Sequence, residues 1–160
     1  MVGYSNKEVD FDSSRSIVDA RIKTDGYSGI AYALLEGERA GARVTLGTTL
    51  EAHDADIRAL AMSIHRDEAH WCGVLFAAIK RLGGEPSSGT GAFYDKAMAI
   101  GDLASRLAFL NRGQAWVVRS LREMLPKVKD EALYRDLDAM LKAHERNIEK
   151  VARSGFVKSR

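Results

Sequence analysis

Residues 54–82 read DADIRALAMSIHRDEAHWCGVLFAAIKRL, and their spacing decides the fold. At about 100° per residue, Ile57, Leu60, Ala61, Ile64, Trp71, Cys72, Leu75, Ile79 and Leu82 fall along one stripe. An apolar stripe of that period predicts an amphipathic helix, and Asp54 is placed to cap it. Glu68 stands near the middle of the stripe, with Asp67 at its margin. His70 projects toward the polar side with Ser63 and Arg81. A carboxylate inside an oily arc is costly without a partner, so Glu68 marks either a site or a satisfied polar network.

Working outward, three more segments carry the same period. Tyr27 to Leu46 places Ile30, Leu34, Gly37, Gly41, Val44 and Thr45 on one face, with Glu38 among them. Gly47 is read as its stop. Leu103, Leu107, Leu110, Val117, Val118, Leu121 and Leu125 form a third stripe, with Gln114 at its centre and Asn111 at its edge. Pro126 closes that helix and Asp130 can cap the next. The last helix, residues 131–152, lines up Leu133, Leu137, Met140, Ile148 and Val151, with His144 and Asn147 on the same face. Between the second and third long helices, residues 83–91 (GGEPSSGTG) are loop-like, residues 92–100 look helical, and Gly101-Asp102 reads as a break or a capped restart. Extended, the glycine-rich link spans roughly 30 Å, enough to join parallel neighbours.

No stretch alternates with the period of a half-buried strand, so the chain is expected to be all-α. Its domains are read as an N-terminal arm over 1–26, a helical body over 27–152 and a short basic tail over 153–160. With 24 basic and 22 acidic residues well mixed, neither nucleic acid nor an anionic membrane is an expected partner. A membrane span needs roughly 20 apolar residues in a row, and none occurs. Cys72 is the single cysteine, and the N-terminus lacks the apolar core of a signal peptide, so a cytoplasmic location is expected. Cys72 itself lies in the apolar stripe and reads as a small core residue. Phe109 and Trp116 fall outside their helix's core stripe. They are read as packing on residues 92–100 or the arm, or as a homodimer surface.

The segments GERAGAR (residues 37–43), RDEAHW (66–71) and HERNI (144–148) resemble the metal-binding helices of rubrerythrin and bacterioferritin relatives. The resemblance covers residues 27–152 and is closest to small bacterial ferritin-like domains of unassigned function. It implies a ferritin-like four-helix bundle with a long crossover between the second and third helices. A di-iron site in that fold takes a Glu from each of two helices and a Glu-x-x-His from each of the others. Here Glu38 and Glu68 match by facing, Trp71 stands where the first histidine belongs, Gln114 replaces an acid, and His144 and Asn147 replace the second Glu and His. The site is therefore a degenerate one.

Two carboxylates offset one divalent ion rather than two, which argues against ferroxidase or two-iron oxygen chemistry. Glu38, Glu68 and His144 have the composition of a site for a single Fe, Mn or Zn ion. Gln114 and Asn147 are candidates to complete it as oxygen ligands or as donors to the ligands. The competing reading is a non-catalytic structural or interaction protein. In that case the five residues satisfy one another without metal, with Trp71 contributing its indole N–H. A small-ligand pocket around the same groups is a third reading. His65, three residues before Glu68, is read as a boundary histidine pairing with it, and His53 and His70 as surface or boundary residues.

Overall fold

The structure is a computed structural model that describes residues 28–157. The arm expected over residues 1–26 lies outside them. Among the described residues five α-helices follow one another: α1 (Ser28–Glu51), α2 (Ala55–Arg81), α3 (Phe93–Met98), α4 (Leu103–Met124) and α5 (Glu131–Arg153). A single 3₁₀ turn, Leu125–Lys127, follows α4 at Pro126. No strand occurs among the described residues, and none of their helices is long and apolar enough to cross a membrane.

Side-chain caps start the helices where the sequence places them. Asp54 accepts from the backbone N–H groups of Asp56 and Ile57, Asp102 from Ser105 and Asp130 from Leu133. Each satisfies donors that the first turn of a helix leaves free. The expected stop of α1 at Gly47 is wrong, because the helix continues to Glu51. Gly47 serves packing instead: a Cβ there would lie 2.8 Å from Cε of Met98 in α3. The Thr45, Thr48 and Thr49 hydroxyls donate to the carbonyls of Gly41, Val44 and Thr45, so the buried last turns of α1 carry polar side chains that satisfy themselves.

Contacts between the helices fix their pairing. The tight turn from α1 to α2 is closed by Arg58, which donates to the Ala52 carbonyl, and further along His65 Nδ1 meets the Ala42 carbonyl at 2.8 Å. At the far end of α2, Arg81 forks onto both Asp130 oxygens at 2.8 and 2.9 Å, while Lys150 reaches Ser63 near its start. The α2 and α5 helices therefore run antiparallel. On α4, Trp116 packs beside Gly37 and the buried Arg106 guanidinium reaches Glu51, so α4 runs antiparallel to α1. The connection from α2 to α4 is tied to α1 by Arg39, donating to the Gly89 carbonyl, and by Ser87, donating to Glu36. Phe93 of α3 stacks on Phe109 with ring centres 4.9 Å apart. That contact places Phe109 against residues 92–100, the first of the packings expected for it.

Two apolar clusters fill the interior. One gathers Leu34, Leu75, Leu121, Leu137 and Met140 with their neighbours. The other gathers Val44, Ile64, Phe93, Leu107, Leu110 and Val151. Truncating a fully buried leucine of this kind costs about 2–5 kcal/mol. Leu60 and Leu82, read as stripe members, lie at its margins: Leu60 is half-buried and Leu82 is 41% exposed at the C-terminal end of α2.

The Arg81–Asp130 fork offers a test of how α2 and α5 are joined. Hydrogen bonding from Arg81, then from the Leu133 N–H, holds the Asp130 carboxyl down at about 2, against its ordinary 3.8. A depressed carboxyl contributes stability above its unfolded value and loses it as pH falls through the folded one. Asp130→Asn, which keeps a capping oxygen but removes the charge, is expected to lower the urea midpoint at neutral pH. The gap to wild type should close between pH 3.8 and about 2; a gap independent of pH would show that the charge does not matter.

Candidate metal centre

A polar layer separates the two apolar clusters. Along α1, Glu38 lies between Leu34 and Val44; along α2, Glu68 lies between Ile64 and Trp71. Gln114 stands between Leu110 and Val117 of α4, and His144 and Asn147 between Met140 and Val151 of α5. All five are buried, with Glu38 at 0% exposure and His144 at 1%. Each arrives there because its position in the heptad-like apolar stripe points it inward. Four helices thus deliver polar groups to one depth. His70, by contrast, is exposed, so the facing read for α2 holds.

Ligand atoms of Glu38, Glu68 and His144 lie within 4.8 Å of one another, close enough to hold one metal ion. His144 Nε2 is 2.9 Å from Glu38 Oε1 and 3.9 Å from Glu68 Oε1. The other ring nitrogen, Nδ1, lies 2.9 Å from the Met140 carbonyl. A carbonyl only accepts, so Nδ1 carries a proton and Nε2 is the nitrogen left to face the carboxylates. This is the orientation that a ligating histidine needs, with its second nitrogen anchored to the backbone. Apart from this approach and the contact between the Glu38 and Glu68 carboxyls, Nε2 and the Glu38 oxygens have no hydrogen-bond partner. Carboxylates and an imidazole nitrogen that converge in this way repel one another unless a proton or a cation lies among them.

Burial shapes the electrostatics accordingly. Desolvation pushes the Glu38 carboxyl up from 4.5 to about 8, with the Asp67 charge adding to it against hydrogen bonding to Glu68. Glu68 is also raised well above 4.5, by desolvation first and by the nearby Glu38 charge second. Cys72 is half-buried, and its thiol is pushed up to about 12 by desolvation and by the Glu38 and Glu68 charges. A thiol raised in this way is little ionised at neutral pH. Glu68 reaches the layer because α1 offers it a gap: a Cβ on Gly41 would collide with Oε2 of Glu68 and lie 2.8 Å from its Cδ.

The remaining candidates divide. Asn147 donates through Nδ2 to Asp67 Oδ2 at 3.0 Å, so its amide nitrogen is held at the edge of the layer while Oδ1 has no partner. Gln114 has no hydrogen-bond partner at either end of its amide, and it lines a cavity of about 20 Å³. Trp71 Nε1 is likewise buried without a partner. Of the network read from the sequence, the carboxyl contact of Glu38 with Glu68 and the approach of His144 to Glu38 are present, while Gln114 and Trp71 take no part in it. His65 does not pair with Glu68 as expected, because its Nδ1 is spent on the Ala42 carbonyl. Sequence reasoning missed Asp67 as the Asn147 partner and Phe93 as part of the cavity wall. Only the first left a signal, in its position at the margin of the α2 stripe.

The fold and layer define an all-α protein with a buried carboxylate–carboxylate–imidazole centre. The chain belongs to the family described as a domain of unknown function, DUF6306, whose model matches residues 30–153. No curated protein and no solved structure matches it.

Two expected outcomes follow from this geometry. In chelator-treated protein the raised carboxyls stabilise the fold only while protonated, fully below 4.5 and progressively less as pH rises through about 8. Thermal stability should therefore fall across that range, and Glu38→Gln should flatten the profile; a wild-type profile as flat as the variant's would contradict it. Gly41→Ala should destabilise by about 1–3 kcal/mol, although Ala normally gains ~1 kcal/mol over Gly in a helix. Gly37→Ala is the control, since a Cβ there meets Trp116 at an ordinary 3.7 Å. Urea midpoints of the two variants check the contrast.

Proposed function

We propose that this chain is a ferritin-like four-helix bundle in which Glu38, Glu68 and His144 hold a single divalent ion, Fe, Mn or Zn. The observation that carries the reading is the convergence of three buried ligand groups: atoms of Glu38, Glu68 and His144 lie within 4.8 Å of one another, with no backbone or side-chain N–H donating to the Glu38 oxygens. An interior that leaves such groups unpaired loses about 1–3 kcal/mol for each, and more where the group is charged. One dication answers all three at once and balances both carboxylates. The donor set, two carboxylate oxygens and one imidazole nitrogen, suits Fe, Mn or Zn.

The bundle reading is supported by the pairings of the helices. The α2 and α4 helices both run antiparallel to α1, so a long connection must carry the chain back from the end of α2 to the start of α4. Residues 82–102, with α3 within them, have that length and are tied along α1. Two-iron chemistry does not fit the residues present, because Gln114 is neutral and Trp71 occupies the place of a histidine.

Within the centre, each residue has a distinct task. His144 is oriented by the Met140 carbonyl, so that Nε2 alone is offered. Glu68 is positioned by the Gly41 gap, and Glu38 by its place between Leu34 and Val44 in α1. The apolar clusters on either side exclude bulk water. A bound ion would supply Lewis acidity and, with iron or manganese, one-electron redox capacity.

Titration of chelator-stripped protein with Fe²⁺, Mn²⁺ and Zn²⁺, followed by thermal melting and metal analysis, tests this. One equivalent should bind and raise Tm, by an amount corresponding to about 2.7 kcal/mol at a hundredfold excess over Kd. His144→Ala and Glu68→Gln should abolish that shift. Wild-type protein that retains less than a few tenths of an equivalent and shows no shift would favour the metal-free scaffold.

A further inference from the structure

The cavity of about 20 Å³ lies on the seam between α1 and α4, against the two carboxylates of the centre. Glu38, Glu68 and Gln114 form its polar inner wall, and Leu110, Val117 and Phe93 its apolar sides. Half-buried Gly37, Gly113 and Trp116 form the outer side. The space exists because two helices present glycine at the same level. A Cβ on Gly113 would lie 2.8 Å from Phe93, and one on Gly37 would project toward Trp116. A cavity needs at least about 10–15 Å³ of this kind of volume to admit a single water molecule, so this one takes one water-sized guest and little more.

Gln114 shows what that guest must be. It is 2% exposed, and neither its Oε1 acceptor nor its Nε2 donor has a partner. An amide with both ends free recognises a molecule that both accepts and donates a hydrogen bond. Two carboxylates share the wall, and a second anion beside them is repelled. A neutral hydroxylic molecule meets every requirement, and water is the one that fits the volume.

We propose that this cavity is a built position for one water-sized hydroxylic ligand, gripped by the Gln114 amide and facing the Glu38–Glu68–His144 centre. The inference rests on the single-ion reading above. Gln114 is then a positioning residue for the guest rather than a fourth protein ligand. The glycines Gly37 and Gly113 set the size limit by the volume they leave open.

Mn²⁺ loaded into the full chain provides the test, since its electron paramagnetic resonance lines broaden when water enriched in the magnetic oxygen isotope binds the ion directly. Wild-type protein should show this broadening. Gly37→Ala, which places a methyl group in the cavity wall with an ordinary Trp116 contact, should retain Mn²⁺ and melt no lower than wild type, yet lose the broadening. Gln114→Leu should lose it as well. Bound Mn²⁺ without broadening in the wild type, or equal broadening in the Gly37→Ala protein, would overturn this proposal and leave the metal reading standing. Failure of Mn²⁺, Fe²⁺ and Zn²⁺ alike to bind would overturn both.

Discussion

Two carboxylates and an imidazole nitrogen, all buried and aimed at one point, are the constraint on which this structure turns. Carboxylates carried into the interior in this way must be protonated, paired or liganded. The chain flanks them with apolar clusters on both sides. The remaining features of the layer follow from that choice. The backbone carbonyl of Met140 fixes which imidazole nitrogen is free, Gly41 makes room for the second carboxylate, and Asp67 holds Asn147 at the margin.

Much of this was legible in the sequence because helical period alone determines facing. Glu38, Glu68, Gln114, His144 and Asn147 were all read as interior from their place in an apolar stripe, and all are buried. Caps at Asp54, Asp102 and Asp130 were equally readable, since a short acidic side chain before a periodic run has one main use. The end of α1 was not readable. Gly47 looks like a stop in one dimension, and only the arrival of Met98 from a distant segment shows that its missing side chain serves close packing. The hydrogen bonding inside the layer was illegible for a related reason. Facing says that two groups share an interior, but not which oxygen meets which nitrogen. His65 and Asn147 both found partners that no spacing rule singles out.

Small residues and large aromatics share the work around the centre. On α1, glycine admits a carboxylate from α2 at one turn and leaves a cavity wall open at the turn before. On α4, Gly113 lets Phe93 approach, and the phenyl ring in turn closes one side of the cavity. The glycine-rich connection that would pass for a simple tether is therefore part of the same construction, because it delivers α3 and its phenylalanine to the seam. Arg39 and Glu36, gripping that connection from the polar face of α1, set where the ring arrives.

The sandwiching of one polar layer between two apolar clusters has a consequence for how the helices align lengthwise. Apolar stripes alone tolerate sliding, because one leucine can replace another a turn away at modest cost. A layer of charge does not. Shifting α2 by a single turn would carry Glu68 into leucine and bring Ile64 or Trp71 opposite Glu38, leaving a carboxylate stranded in hydrocarbon. The same holds for His144 on α5. The layer thus acts as an index mark cut across four rods, so that the groups best suited to chemistry are also those that keep the helices from slipping past one another.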